Sequence, residues 1–336
     1  MQPSKTTVIG LFNAPFQYQI PIFQRGYVWT LEKQVAPLWS DIQSQADALL
    51  ERQQLTSGAT TAMKPLPKHF LGSIVMTPVP NAFGRVPMYE VIDGQQRCTT
   101  LHLLLLAMHH AAKDSGQTSV AQMAAAVVRN PGPYLVDAND QHKVWPTQAG
   151  RQEMQGINAA TSVAQICTAY PARDGRNRID RPLMVQTFLY LYHACLAYMR
   201  GVDLSDPVPH PGGADPDRSH SDVLVASIRN ANAVVPVPAA DKANALRAQA
   251  LYMALADQVQ LMTLSLDVDD DPQVIFETLN ARGEPLLASD LVRNFLFLEA
   301  ARHGQPVDAL YASYWSDFDQ VATGKNTVTA NRYWRG

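Results

Sequence analysis

The segment 98–112 constrains the fold most, because it reads as a helix that is apolar on most of its faces. A helix of that kind is stable only when other elements cover it on all sides. Its longest apolar run, at 103–107, is far too short to span a bilayer. With 46% hydrophobic and 17% charged residues, the chain can build a sizeable core and is not globally disordered. We therefore expect a globular protein with a buried central helix.

Two short strand candidates precede this helix and read as a β-hairpin. Residues 70–76 are rich in β-forming types, residues 86–92 alternate between two faces, and turn-forming residues occupy 80–84. A third strand is predicted at 262–268. The combination of a hairpin with many helices predicts an α+β fold with a small mixed sheet followed by a mainly helical part. The predicted helices lie at 35–53, 118–129, 182–200, 240–260, 272–280, 290–302 and 308–321.

The order of these segments predicts three parts in the 336-residue chain. The first part, 1–112, would be a nucleotide-binding core, although residues 1–30 show little helical period. The second part, 113–260, would be a mainly helical insertion or subdomain with a proline-rich loop at 201–220. The third part, 261–336, would return a strand and helices to the core. The chain stops without a polar tail, and we expect it to be a fragment of something longer.

Charge and cysteine content exclude several classes of protein. The 27 basic and 30 acidic residues nearly balance, which argues against coating nucleic acid by bulk electrostatics but leaves a local basic groove open. Cys98, Cys167 and Cys195 are widely spaced and form no CxxC pair. A disulfide framework or zinc site is therefore not expected, and a reducing compartment fits. No signal peptide is visible at the start, so a cytoplasmic location is expected.

A polar loop joins the second strand candidate to the buried helix and consists of Asp93, Gly94, Gln95, Gln96 and Arg97. A helix start offers free backbone N–H groups and a partial positive charge, which favour a phosphate. The glycine permits a tight turn and a close approach, and the arginine matches phosphate oxygens. The alternative is a plain strand–turn–helix in which the aspartate caps the helix and the arginine forms a surface ion pair.

An aromatic and basic segment, 21–29, is the second candidate for a functional site. Gln24 and Arg25 stand among aromatic residues that include Tyr27 and Trp29. Such a segment can stack a base and bind a phosphate. The alternative is an edge strand whose aromatic side chains anchor it to the core, which we favour for Tyr27 and Trp29.

The third candidate for a functional site consists of two segments near the end of the chain. A predicted helix ends near Asn280, and Gly283 supplies a left-handed cap, so that Asn280 and Arg282 are either turn residues or part of a site. The acidic run 269–271 can hold Mg²⁺, but such a run is more often a solvated helix start.

These segments together resemble the signature of the GmrSD-type type IV restriction family. The matching pieces are Ile20-Pro21, Gln24-Arg25, Tyr27, Trp29, Phe70 to Ile74, Val91 to Arg97, Phe276 to Asn280, Arg282-Gly283, Leu286 and Asp290-Leu291. The resemblance implies a ParB/sulfiredoxin-like fold that binds and hydrolyses a nucleoside triphosphate, GTP or another, with Mg²⁺. It implies catalytic roles for Gln24, Arg25, Asp93 and Arg97. It implies nucleotide contacts for Gly94, Gln95, Gln96, Thr99, Asn280 and Arg282.

The same resemblance implies partners. Family members act on DNA that carries glucosylated hydroxymethylcytosine or, in the SspE branch, phosphorothioates, and a C-terminal HNH nuclease domain cuts the DNA. This chain lacks an HNH motif, since His109 and His110 lie in the apolar helix and His69 and His102 read as packing residues. Residues 149–150, an alanine and a glycine, replace positions that are usually polar or acidic in the family. The resemblance leaves open whether the protein forms a homodimer.

Three hypotheses follow for the activity. The chain is an NTPase that senses modified DNA, a nucleotide-gated DNA-binding module without turnover, or a sulfiredoxin-like thiol enzyme using Cys98. The last is disfavoured because Cys98 follows the arginine and belongs to the buried helix. If a phosphorothioate is sensed, an apolar pocket would suit it, and the candidate walls are Pro21, Trp29, Pro78 and Val79.

Overall fold

A six-stranded mixed sheet carries the helices of the protein. The computed structural model describes residues 2–21, 24–56, 65–80, 84–210, 213–234, 244–267, 270, 292–293, 296–297, 299–300 and 303–315. The strands of the main sheet are β1 (Gln2–Thr7), β2 (Gln17–Gln19), β3 (His69–Val79), β4 (Met88–Asp93), β5 (Val144–Trp145) and β10 (Val259–Ser265). Two surface hairpins pair β6 (Arg173–Asp174) with β7 (Asn177–Arg178) and β8 (Pro207–His210) with β9 (Gly213–Ser219).

The helices lie before, between and after these strands. They are α1 (Val8–Asn13), α2 (Ala36–Thr56), α3 (Gln95–Asp114), α4 (Thr118–Val128), α5 (Gln148–Ala159), α6 (Val163–Ala169), α7 (Leu183–Met199), α8 (His220–Asn230), α9 (Ala245–Met253) and a further helix at Val307–Tyr314. Short π-helical turns, Leu31–Val35 and Ala254–Gln258, adjoin α2 and α9. None of the helices in the described part of the chain is both long and apolar enough to cross a membrane.

The sheet has the order β1-β10-β3-β4-β2-β5. Strands β3 and β4 are antiparallel neighbours, whereas β10 runs parallel to β3 and β2 runs parallel to both β4 and β5. This mixed sheet with helices packed on it confirms the α+β prediction. The predicted hairpin of β3 and β4 is also confirmed, and the third strand is observed a few residues earlier than predicted, as β10.

Helix α3 lies at the centre of the core, as the sequence predicts, and begins at Gln95. Its apolar residues from Cys98 to Met108 are at most 3% exposed, and it packs along α7, which is also buried along most of its length. Burying one leucine side chain contributes roughly 1.5–3 kcal/mol, so this helix pair is a major source of stability. His102 is fully buried in the same core, which confirms a packing role for it.

Most predicted helices are confirmed, and two segments need correction. Residues 2–19 contain β1, α1 and β2, although no element was predicted there, and residues 24–30 form no strand, which corrects the edge-strand interpretation of that segment. Strand β1 is an edge strand whose first four residues are exposed, so it lacks the apolar alternation by which strands are recognised. The predicted loop 201–220 contains the β8–β9 hairpin, because a proline is tolerated in a surface strand pair where its missing N–H is not needed.

Some predictions are not decided by the structure. The predicted helix 272–280 lies outside the described residues, and 290–302 is described only in part. The three-part division of the chain remains a prediction. The cysteines are free thiols, as expected.

Candidate functional site

The turn between β4 and α3 requires a glycine. Gly94 has φ +84°, and a Cβ placed on it would lie 2.7 Å from the Ser73 carbonyl oxygen of β3. It also occupies the N-cap position, so no side chain caps the first turn of α3, and the first helical bond runs from the Cys98 N–H to the Gly94 carbonyl at 2.9 Å. Asp93 is the last residue of β4 and not the cap that the alternative interpretation assigned to it.

Arg97 points from this turn towards β3. Its Nη1 donates to the Ser73 carbonyl at 2.5 Å, and its guanidinium lies beside Gly72, whose φ is +100°. Gly72 belongs to an irregularity in the pairing of β3 with β10, and such bulges redirect neighbouring groups. Burial lowers the pKa of Arg97, and the nearby charge of Asp93 acts in the opposite direction.

A small, open cleft lies on another side of the α3 start. It is bordered by the first turns of three helices, α3, α5 and α7, and by the loop after β2. Side chains cap none of these three helix starts. The lining residues are Ile20, Arg25, Gly26, Tyr27, Gln95, Gln96, Thr99, Pro146, Thr147, Gly150 and Met184.

Several polar side chains of this cleft have no partner among the described residues. Gln95, Thr99 and Thr147 are only 9%, 4% and 5% exposed, yet their side chains make no hydrogen bond there, and Gln95 Oε1 is a buried acceptor without a donor. The half-buried guanidinium of Arg25 also has no partner among them. Leaving the buried Gln95 Oε1 unpaired costs about 1–3 kcal/mol, so this acceptor points to a ligand that supplies the missing donor.

Hydrogen bonds hold the loop that presents Arg25. Gln96 clamps it from α3, because its Nε2 donates to the Gly26 carbonyl and its Oε1 accepts from the Val28 N–H, both at 2.9 Å. Gln24, 2% exposed, donates to the Val91 and Ile92 carbonyls at 2.9 Å. Both glutamines thus fix the loop in place.

Tyr27 ties the same loop to two helices. Its hydroxyl lies 2.7 Å from Thr100 Oγ1 of α3 and 3.2 Å from Thr187 Oγ1 of α7. Burial raises the pKa of Tyr27 to about 12. Its position fits the interpretation of Tyr27 as an anchor, and Trp29 likewise packs against the core.

The structure brings some of the predicted site residues together and separates others. Arg25, Gln95, Gln96 and Thr99 line the cleft, whereas Gln24, Asp93, Gly94 and Arg97 do not. Asn280 and Arg282 lie outside the described residues. The sequence analysis missed Thr147, Gly150 and Met184, which are brought to the α3 start only by folding.

The candidate apolar pocket is not assembled as one unit. Pro78 and Val79 pair with Tyr89 and Met88 at the start of β4. The Pro21 carbonyl accepts from the Gln24 N–H, and the Gln24 side chain binds the carbonyls near the end of β4. Pro21 therefore lies towards the opposite end of that strand.

The candidates for metal and thiol chemistry gain no support from the geometry. No group of three or more potential metal ligands is found in the part of the chain that the structure describes. Within the acidic run, Asp270 accepts from the Asp267 N–H at 2.8 Å and so closes a local turn, while its two neighbours lie outside the described residues. Cys98 is fully buried, and this burial raises its pKa to about 12. A thiol in that state is a poor nucleophile.

The fold and the cleft define the class of protein: an α+β domain with a cationic cleft where three helices begin. The chain belongs to the family of GmrSD restriction endonuclease N-terminal domains, whose family model matches residues 8–297. This membership places the protein among those with a role in restriction. No curated protein sequence matches the chain.

Proposed function

We propose that this protein binds and hydrolyses a nucleoside triphosphate in the cleft and so acts as the sensor domain of a restriction effector for modified DNA. One observation carries the proposal. The cleft combines the Arg25 guanidinium, which has no partner among the described residues, with the buried acceptor Gln95 Oε1 and with the Thr99 and Thr147 hydroxyls, which make no hydrogen bond there, at uncapped helix starts. The guanidinium, the hydroxyls and the helix starts are donors and dipoles that bind phosphate groups.

The chemistry of binding follows from these groups. A phosphate accepts two parallel hydrogen bonds from the planar Arg25 guanidinium and further bonds from the free amides of the first turn of α3. Gln95 Oε1 accepts a hydrogen bond from a donor such as a ribose hydroxyl or a base amino group. In hydrolysis, water attacks the terminal phosphorus while the fixed positive groups stabilise the charge that develops on the leaving oxygen.

Magnesium normally accompanies triphosphate hydrolysis and requires oxygen ligands. The described residues that line the cleft include no carboxylate. They therefore do not form a magnesium site made by the protein, and an ion at this position would have to be held by the phosphates themselves.

A DNA signal completes the proposed function. The restriction role of the family supports a coupling between nucleotide in the cleft and modified DNA, either phosphorothioate or glucosylated hydroxymethylcytosine DNA. In this proposal a C-terminal HNH nuclease domain performs the cut.

A nucleotide-gated module without turnover is the second candidate. One observation favours it: no carboxylate or histidine stands among the described cleft residues to orient or deprotonate the attacking water. In this alternative, nucleotide binding orders the cleft and changes DNA affinity, and the phosphates remain intact.

One pair of measurements tests the proposal and separates the two candidates. Calorimetry measures the binding of the four nucleoside triphosphates to the wild-type protein, and a phosphate-release assay follows turnover with no DNA, plain DNA and each modified DNA. We expect binding that Arg25→Ala weakens by at least about tenfold, and turnover that modified DNA stimulates. Arg176→Ala is the matched control, because Arg176 is exposed at the apex of the β6–β7 hairpin. Binding without phosphate release selects the second candidate, and the absence of any binding refutes both.

A further inference from the structure

The start of helix α5 borders the cleft through Pro146, Thr147 and Gly150. Thr147 occupies the N-cap position of α5. Only the short segment after β5 connects this helix to the sheet. Gly150, in the first turn, is packed so closely against α7 that a Cβ on it would lie 2.5 Å from Met184 Cε. The starts of α5 and α7 therefore form one continuous wall of the cleft.

Thr147 does not perform the function that its position normally has. An N-cap threonine ordinarily accepts a hydrogen bond from an amide of the first turn, as Ser162 does for α6 and Ser219 does for α8. The Thr147 side chain makes no such bond. It is 5% exposed and has no hydrogen-bond partner among the described residues, and what remains accessible of it borders the cleft.

We propose that the start of α5, with Thr147, is a second phosphate subsite, so that the cleft selects a chain of phosphates over a single phosphate. This rests on the proposed function and extends it to the length of the ligand. The start of α3, with Arg25, holds one phosphate. The Gln148 and Ala149 amides in the first turn of α5 bind another phosphate of the same chain together with the Thr147 hydroxyl, since the Gly150 N–H already donates to the Thr147 carbonyl.

Charge supports a ligand that reaches both helix starts. Each uncapped start carries a partial positive charge equivalent to about half an elementary charge, and Arg25 adds a full one. The described lining residues contain no acidic side chain to balance them. A nucleoside monophosphate brings one phosphate, whereas a diphosphate or triphosphate brings one for each of the two helix starts.

The substitution Thr147→Val tests this subsite, because valine keeps the shape and removes only the hydroxyl. Since the hydroxyl does not cap α5, the melting temperature should remain that of the wild type. Calorimetry with the mono-, di- and triphosphates of one nucleoside, and with inorganic tripolyphosphate, gives the dependence on phosphate number. We expect triphosphate and tripolyphosphate binding to weaken about tenfold while monophosphate binding is unchanged.

Thr118→Val is the matched control, because Thr118 is an exposed threonine at the start of α4. If Thr147→Val weakens all three nucleotides equally, or none of them, the second subsite is wrong even though the protein binds nucleotides. If the wild type binds tripolyphosphate in a Thr147-dependent manner but no nucleotide, the proposed function fails and the subsite stands. If the wild type binds neither, both are refuted.

Discussion

The guanidinium of Arg97 lies against Gly72, and a Cβ at Gly72 would be 3.1 Å from Arg97 Cζ. This contact connects the strand β3 to the first turn of α3 and depends on the missing side chain, since Gly72 also has φ +100°. The same guanidinium donates to the neighbouring Ser73 carbonyl. Arg97 therefore fixes the helix start on the sheet, on a different side from the cleft.

Gly72→Ala should destabilise the protein by about 1–3 kcal/mol, because a positive φ is strained for alanine and the new methyl group displaces Arg97. Urea unfolding followed by circular dichroism measures the loss. Gly132→Ala is the control, since Gly132 has an ordinary φ and nothing lies within 4 Å of its added Cβ. Equal stability of the two variants would show that the Gly72–Arg97 contact does not hold the turn.

Substitutions of Arg97 and Arg25 should have different effects, the first on the free energy of unfolding and the second on nucleotide binding. Arg97→Ala removes a partly buried, charged hydrogen bond and should lower the free energy of unfolding by about 1–2 kcal/mol. Arg25→Ala removes a group without a partner and should leave the unfolding midpoint unchanged while it weakens nucleotide binding. The reverse result, with Arg97→Ala impairing binding at full stability, would restore Arg97 as the phosphate ligand that the loop sequence suggests.

The comparison of these two arginines shows what the sequence can predict. The apolar run of α3 and the turn at Gly94 are local features, and the sequence predicts both correctly. The direction of Arg97 depends on the irregular pairing of β3 with β10, two strands that are almost 200 residues apart in the chain. No local pattern contains that information.

The cleft illustrates the same division. Arg25, Gln95, Gln96 and Thr99 were found because they belong to two motifs. Thr147 and Met184 were missed because the starts of α5 and α7 reach the cleft only through helix packing. One local signal existed for Thr147: it is a threonine at the start of a helix, but its hydroxyl appears in the sequence as an ordinary cap.

Gln96→Leu should weaken nucleotide binding about tenfold by releasing the loop that presents Arg25. Leucine keeps the approximate size of the side chain and removes both hydrogen bonds to the Gly26 carbonyl and the Val28 N–H. Calorimetry gives the dissociation constant, and limited proteolysis between residues 24 and 30 reports the release of the loop. The exposed Gln152→Leu on α5 is the control. Unchanged affinity together with new cleavage in the loop would show that Arg25 needs no such clamp.

Acid should unfold the protein through its buried histidines, which include His142, whose pKa is also lowered by burial. Burial lowers the pKa of His102, His110 and His193 from 6.5 to about 4, so each is neutral in the folded state. Between these values the unfolded chain binds more protons than the folded chain. The histidine contribution to the free energy of unfolding is therefore fully present above pH 6.5. It falls as the pH is lowered towards 4, by at most about 1.4 kcal/mol per pH unit for each histidine.

The histidine contribution can be isolated by a substitution that does not titrate. His193→Gln should reduce the dependence of the urea midpoint on pH between 6.5 and 4, because it removes one of the buried rings that bind a proton only on unfolding. His303→Gln should leave that dependence unchanged, because the His303 side chain is 76% exposed. A urea midpoint that stays constant from pH 7 to 5 in the wild type would mean that these rings gain protons in the folded core. In that case the core around α3 and α7 admits water.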